Sequence, residues 1–126
     1  VQIGTRFAAS EESSAHINFK KKIIETKEGE TILTLKQVMP VRLIKNNFYK
    51  KVEEAEQRGA GVEELKIILG RARAKKGMFE GDLDEGELEI GQISGSIKDI
   101  KPAAEILNDI WKEFMEAKAK LCDTKI

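Results

Sequence analysis

Between Pro102 and Leu121, the residues Ile106, Leu107, Ile110, Trp111, Phe114 and Leu121 recur at three- and four-residue spacings. That is the period of one face of an α-helix. Pro102 suits a first helical position, with φ preset and no amide donor required. A stripe carrying Trp and Phe has to be covered, so the pattern asks for a larger body against which the helix packs. The chain has 126 residues, enough for one domain and too few for two well-packed ones. Its 22 Lys and Arg balance 22 Asp and Glu. That balance argues against a general nucleic-acid binder, which needs a cationic excess. No apolar run reaches membrane-spanning length, and no signal-peptide pattern is present. The single cysteine, Cys122, excludes an internal disulfide and fits a reducing compartment, so a cytoplasmic location is expected.

The remaining segments predict alternating strands and helices. Residues 1–7 (VQIGTRF) lean toward a strand, with Gly4-Thr5 at its carboxyl end. Ser10 is a candidate N-cap for a helix to about Lys27, with Glu11 and Glu12 in its first turn and Lys20, Lys21 and Lys22 near its end. TILTL at 31–35 predicts a strand or extended arm, and VRLI at 41–44 an extended or short helical course. Asn46 or Asn47 can cap a helix ending near Gly59, and a second short helix spans 62–69, closed by Gly70. Six of the ten glycines fall between Gly70 and Gly95, interleaved with Met78, Phe79, Leu83, Leu88, Ile90 and Ile93. Tight turns or close backbone approach explain that density better than a surface linker does.

Little in the inventory suits side-chain catalysis. His16 is the only histidine and reads as a surface or capping residue. No metal site is expected. The basic run RARAKK at 71–76 has no interleaved aromatics and reads as a solvated face or an ion-pair seam. DLDEGELE lacks the ligand spacing of a calcium loop and reads as solvated helix surface with some internal pairing. Gly4-Thr5 is more informative: a glycine and a hydroxyl residue between strand and helix can present backbone N–H groups to a phosphate.

Three blocks carry a family resemblance. VQIGTRFAASEESSAHINFKKKI resembles the segment around the eighth strand of the FMN-dependent (β/α)8 family of nitronate monooxygenases and type II enoyl-acyl-carrier-protein reductases. TILT followed by PVRLIKN resembles that family's arm, with its Pro-x-Arg and downstream Asn. EGDLDEGELEIGQISGSIKDIKPAAEIL resembles its late glycine-rich segment with a Gly-Gln pair, then its final helix. The blocks fall in the family's order.

The resemblance implies an α/β fold, the C-terminal portion of a (β/α)8 barrel. The visible piece would be mainly helical, with one barrel strand and short extended segments. Residues 1–30 would be the last strand–helix unit, 31–101 the arm, short helices and glycine-rich flap, and 102–126 the C-terminal helix and tail. It implies that Gly4 and Thr5, with Gln2 in the same motif, bind the phosphate of FMN. Gly91, Gln92, Ser94 and Gly95 would lie on a flap over the flavin and substrate mouth; the alternative is that these glycines only permit close helix packing. The catalytic histidine is expected in a Gly-Gly-His segment upstream of this chain, so none of the residues here is expected to be catalytic. A whole barrel needs about 250 residues, and the chain is accordingly read as a fragment that starts inside a strand. The expected activity is enoyl-acyl-carrier-protein reduction with NAD(P)H as co-substrate. Nitronate monooxygenase is the alternative within the family, and a non-enzymatic helical interaction module the alternative outside it. Expected partners are the missing N-terminal part of the barrel, an acyl-carrier-protein or acyl thioester, and a second copy in a homodimer.

Overall fold

The computed structural model describes residues 2–123. Helix α1 (Gly4–Ala8) comes first, then α2 (Ile17–Glu25), strands β1 (Thr31–Thr34) and β2 (Val41–Ile44), α3 (Asn47–Gln57) and α4 (Val62–Leu69). A π-helical turn at Lys75–Phe79 and a 3-10 turn at Gln92–Ser96 precede the long α5 (Ala103–Asp123).

β1 and β2 pair antiparallel, with Thr31 opposite Ile44 and Thr34 opposite Val41. The glycine-rich segment extends this ladder: Ile44 N–H donates to Leu88 O at 3.0 Å, and Ile90 N–H to Arg42 O at 3.0 Å. β2 is thus flanked on both edges. Its faces divide two cores, as strand alternation requires. Val41 and Leu43 enter one with Leu35, Phe48, Val52 and Leu65 from the arm, α3 and α4. Ile44 enters the other with Phe19 and Ile23 of α2 and with Leu88, Ile90 and Ile97.

The capping predictions hold for α3, where Asn46 Oδ1 accepts from Tyr49 N–H at 2.9 Å. Gly59 and Gly70 close α3 and α4 with φ of +79° and +63°. Two expectations fail locally. Gly4 opens a helix where a strand over 1–7 was expected, because a barrel strand takes hydrogen bonds from neighbouring strands and none of the described residues offers them. The helix predicted from Ser10 starts at Ile17 instead. Its N-cap is His16, whose Nδ1 accepts from Asn18 N–H at 3.1 Å. Ser10 forms a bridge with Lys101. Lys20 does not serve the helix end either: its buried ammonium donates to Glu11 O at 3.0 Å and Ser13 O at 2.8 Å, holding the loop before α2.

The acidic segment is not helix surface. Asp82 Oδ1 accepts from the Asp84 and Glu85 N–H groups at 3.0 and 2.9 Å, building a turn. Gly77 and Gly86 meet back to back across it: a side chain on Gly86 would occupy the space of the Gly77 backbone. The basic run is the ion-pair seam, with Arg73 to Glu85 at 3.6 Å, Lys75 to Glu80 at 3.3 Å and Lys76 to Asp82 at 2.9 Å.

α5 begins one residue after Pro102, its Ala103 N–H donating to Glu12 Oε2 at 2.8 Å. Ile106 is buried, but Leu107, Trp111, Phe114 and Leu121 are exposed, Trp111 by 64%. Together with Ile3, Leu107, Ile110, Trp111 and Phe114 line a wholly apolar depression. The stripe demanded by the sequence is present and largely uncovered. No helix among the described residues is long and apolar enough to cross a membrane.

Candidate functional site

The start of the chain and the glycine-rich segment converge although 86 positions separate them. Gly91 N–H donates to Thr5 Oγ1 at 2.9 Å. A Cβ on residue 91 would stand 2.5 Å from that same oxygen, so a larger residue there would displace the Thr5 hydroxyl. Around this bond lies a cleft of about 570 Å³, lined by Gln2, Gly4, Thr5, Gly91, Gln92 and Ile93 among others.

Gly4 stands at the mouth with open space where a side chain would begin. The N-cap of α1, Ile3, makes no side-chain capping bond. The first-turn N–H groups of a helix have no intrahelical acceptors, and the first residues of α1, Gly4 and Thr5, line the cleft. Arg6 also lines the cleft and is held by Asp99: Nη1 donates to Asp99 O at 2.9 Å and Nη2 to Asp99 Oδ1 at 2.5 Å. The pair ties α1 to the segment entering α5.

Of the four flap residues expected from the sequence, Gly91 and Gln92 line this cleft. Gly95 lines a neighbouring one of about 510 Å³, together with Gln92 and Ile93. The 3-10 turn is therefore the wall between two clefts. Gly95 also permits close packing, since a Cβ there would stand 2.9 Å from Glu28 N. Ser94 faces neither cleft: it is fully buried and its Oγ has no hydrogen-bond partner. His16 caps α2, with Gly81 packed against its ring, and lines neither cleft.

Sequence reasoning passed over one ionisable group. Glu87, read as part of a solvated acidic run, is 5% exposed, and its Oε1 has no hydrogen-bond partner. Burial, and secondarily the charge of Glu89, pushes its carboxyl up to about 7, with Arg73 acting in the opposite direction. Asp82 goes the other way, down to about 2, chiefly because the Glu85 N–H and the Lys76 ammonium bind its ionised form. The local pattern gave no clue to this: in Glu87-Leu88-Glu89-Ile90, strand alternation puts Glu87 on the face opposite the apolar residues. Among the described residues no group of three His, Cys, Asp or Glu is placed to hold a metal ion.

The chain is similar to solved structures over nearly its whole length. The structure of FabK from Thermotoga maritima superposes with a TM-score of 0.86 at 36% sequence identity, covering 96% of this chain and 38% of that one. A single-substitution mutant of FabK from the same organism gives 0.78 at 35% identity, covering 96% and 36%. The chain thus spans little more than a third of the length of these solved relatives, as expected for a portion of a barrel. The family description Nitronate monooxygenase matches residues 1–113, ending about halfway along α5. The chain belongs to the nitronate monooxygenase family.

Proposed function

We propose that the chain is the C-terminal part of an FMN-dependent oxidoreductase, and that its reaction is reduction of an enoyl thioester. The observation that carries this reading is the Thr5–Gly91 bond, which joins the expected phosphate loop and the expected flap in one cleft. Similarity to FabK at 35–36% identity favours the enoyl-acyl-carrier-protein reductase branch. The family description favours nitronate monooxygenase, which remains the second reading.

The residues present fit the phosphate end of FMN. The uncapped start of α1 supplies N–H donors at Gly4 and Thr5, and the missing Cβ of Gly4 leaves room for close approach. When bound, FMN supplies the hydride relay between NAD(P)H and the substrate. This chain's own contribution is positional. Gly4 and Thr5 hold the phosphate. Thr5 Oγ1 anchors Gly91, which fixes the 3-10 turn so that Gln92 and Ile93 cover the cleft and exclude water. The proton donor belongs to the histidine segment that the resemblance puts upstream. Under this reading the exposed face of α5 packs against the rest of the barrel, and the isolated 126 residues neither retain FMN nor turn over.

The test is turnover by the full-length protein. NADH oxidation dependent on both FMN and a crotonyl thioester supports the reductase. Its absence, combined with oxygen consumption on an alkyl nitronate, overturns the reductase in favour of the monooxygenase. If neither occurs, a non-enzymatic helical module is the better reading.

A further inference from the structure

The cleft beside the flap is built around an arginine with no counter-charge. Arg42 is half-buried on β2 between the buried Val41 and Leu43. Its Nη1 donates to Thr31 O and to Thr31 Oγ1, both at 3.2 Å. Nε and Nη2 have no acceptor among the described residues, and no carboxylate there lies within ion-pair distance. Arg6, Arg58 and Arg73 are each paired with an acid. Neither Nε nor Nη2 of Arg42 is among the buried unpartnered atoms, so both are open to the cleft. A planar fork anchored at one nitrogen and open at the others has the geometry that receives phosphate in a bidentate manner.

The surroundings match such a ligand. The cleft of about 510 Å³ is lined by Arg42 together with Thr31, Gln92 and Ser96, so two hydroxyls and an amide share it with the guanidinium. Gly29, at φ +81° with open space where its side chain would begin, keeps the entrance clear. Glu28 lines the rim but is exposed and makes no ion pair with Arg42. Gln92 and Ile93 line this cleft and the Thr5–Gly91 cleft alike. A ligand in this cleft would therefore lie across the 3-10 turn from the proposed FMN-phosphate site.

We propose that the Arg42 cleft holds a phosphate-ester group on the long arm of a substrate of this enzyme. The proposal rests on the oxidoreductase reading and adds a binding residue to it. Two co-substrates of the proposed reaction carry this chemistry: a thioester on a phosphopantetheine arm, and a nicotinamide dinucleotide.

The full-length, FMN-loaded enzyme is compared with Arg42→Gln and Arg42→Lys on crotonyl-coenzyme A, on the phosphate-free crotonyl N-acetylcysteamine thioester, and on NADH. Losing one charge-assisted contact raises KM by about tenfold or more. For Arg42→Gln that rise is expected on crotonyl-coenzyme A, with kcat nearly unchanged and no effect on the phosphate-free thioester. Arg42→Lys, which keeps the charge and loses the fork, falls between. A rise confined to NADH also supports the site and identifies the dinucleotide as the phosphate donor. An equal change on the phosphate-free thioester, or no change on any substrate, overturns the proposal.

Calorimetric binding of inorganic pyrophosphate to the same holoenzymes separates this proposal from the reductase reading. Binding that weakens about tenfold in Arg42→Gln supports the cleft even if crotonyl thioesters are not reduced. Pyrophosphate binding indifferent to Arg42 overturns it even if they are.

Discussion

Replacing Glu87 with glutamine should make the protein more stable at pH 8 and leave it nearly unchanged at pH 4 to 5. The carboxyl is held up to about 7 against an ordinary 4.5, first by burial and then by Glu89. Between those two values the unfolded chain has released the proton and the folded chain still holds it. The unfolded state then binds fewer protons, so stability falls as pH rises from about 4.5 to 7 and levels off above. The full interval corresponds to about 3 kcal/mol. Solvent screening around a carboxyl near Arg73 reduces the usable figure to about 1–2 kcal/mol. Glutamine has the same shape and no charge, so the variant lacks this penalty. Its amide meets the same unpartnered surroundings that Glu87 Oε1 now occupies. Urea denaturation of wild type and Glu87→Gln at pH 5 and pH 8 measures the effect. A gap of 1–2 kcal/mol at pH 8 moves the midpoint by about 0.5–1 M, given ordinary urea slopes. Taking the difference between variant and wild type cancels the other carboxylates, provided they do not couple to residue 87. A gap that is the same at both pH values, or that favours wild type at pH 8, refutes the reasoning.

Three further outcomes are expected. Thr5→Val removes the acceptor of Gly91 N–H without changing side-chain shape. It should cost about 1–3 kcal/mol in urea stability and weaken FMN retention by the full-length protein; retention equal to wild type would count against the phosphate-loop reading. Gly86→Ala forces a Cβ onto the Gly77 backbone, where no flexible side chain can yield. It should destabilise by about 1–3 kcal/mol or more, as read from the thermal midpoint, whereas Gly61→Ala, with open space, should not show that steric loss. Asp82 is held down to about 2 in the folded state against an ordinary 3.8, so its contribution is present above about pH 4 and is lost as pH falls toward 2. Asp82→Asn should therefore flatten the acid limb of the stability profile, and an unchanged limb would discount the turn.

The helices α3, α4 and α5 were legible because their signals are local. Asn46 caps, Gly59 and Gly70 stop, and the apolar spacing of α5 declares its face whether or not a partner covers it. TILT likewise announced extended chain, while VRLI was open to an extended or short helical course until its pairing with β1 decided it. The N-terminal seven residues misled for a physical reason: Val1 and Ile3 have strand propensity, but a strand exists only where neighbours complete its hydrogen bonds, and α1 needs no such partner. The start of α2 misled in the same way. Ser10 is a good cap by type, yet His16 occupies that place, and Lys20 holds the intervening loop through two carbonyls. Glu87 looked like its acidic neighbours until the ladder with β2 buried it.

By itself the sequence determined α3, α4, α5 and the extended arm and, through three ordered motifs, the family. It named Gly4, Thr5, Gly91 and Gln92 without showing that they meet. Only the tertiary structure decided that Thr5 accepts from Gly91, that Gln92 divides two clefts, and that Arg42 and Glu87 lack the partners their charges call for. The reason is range. Caps, stops and helical periodicity act within a few residues, whereas desolvation and a hydrogen bond across 86 positions depend on what the rest of the chain brings alongside.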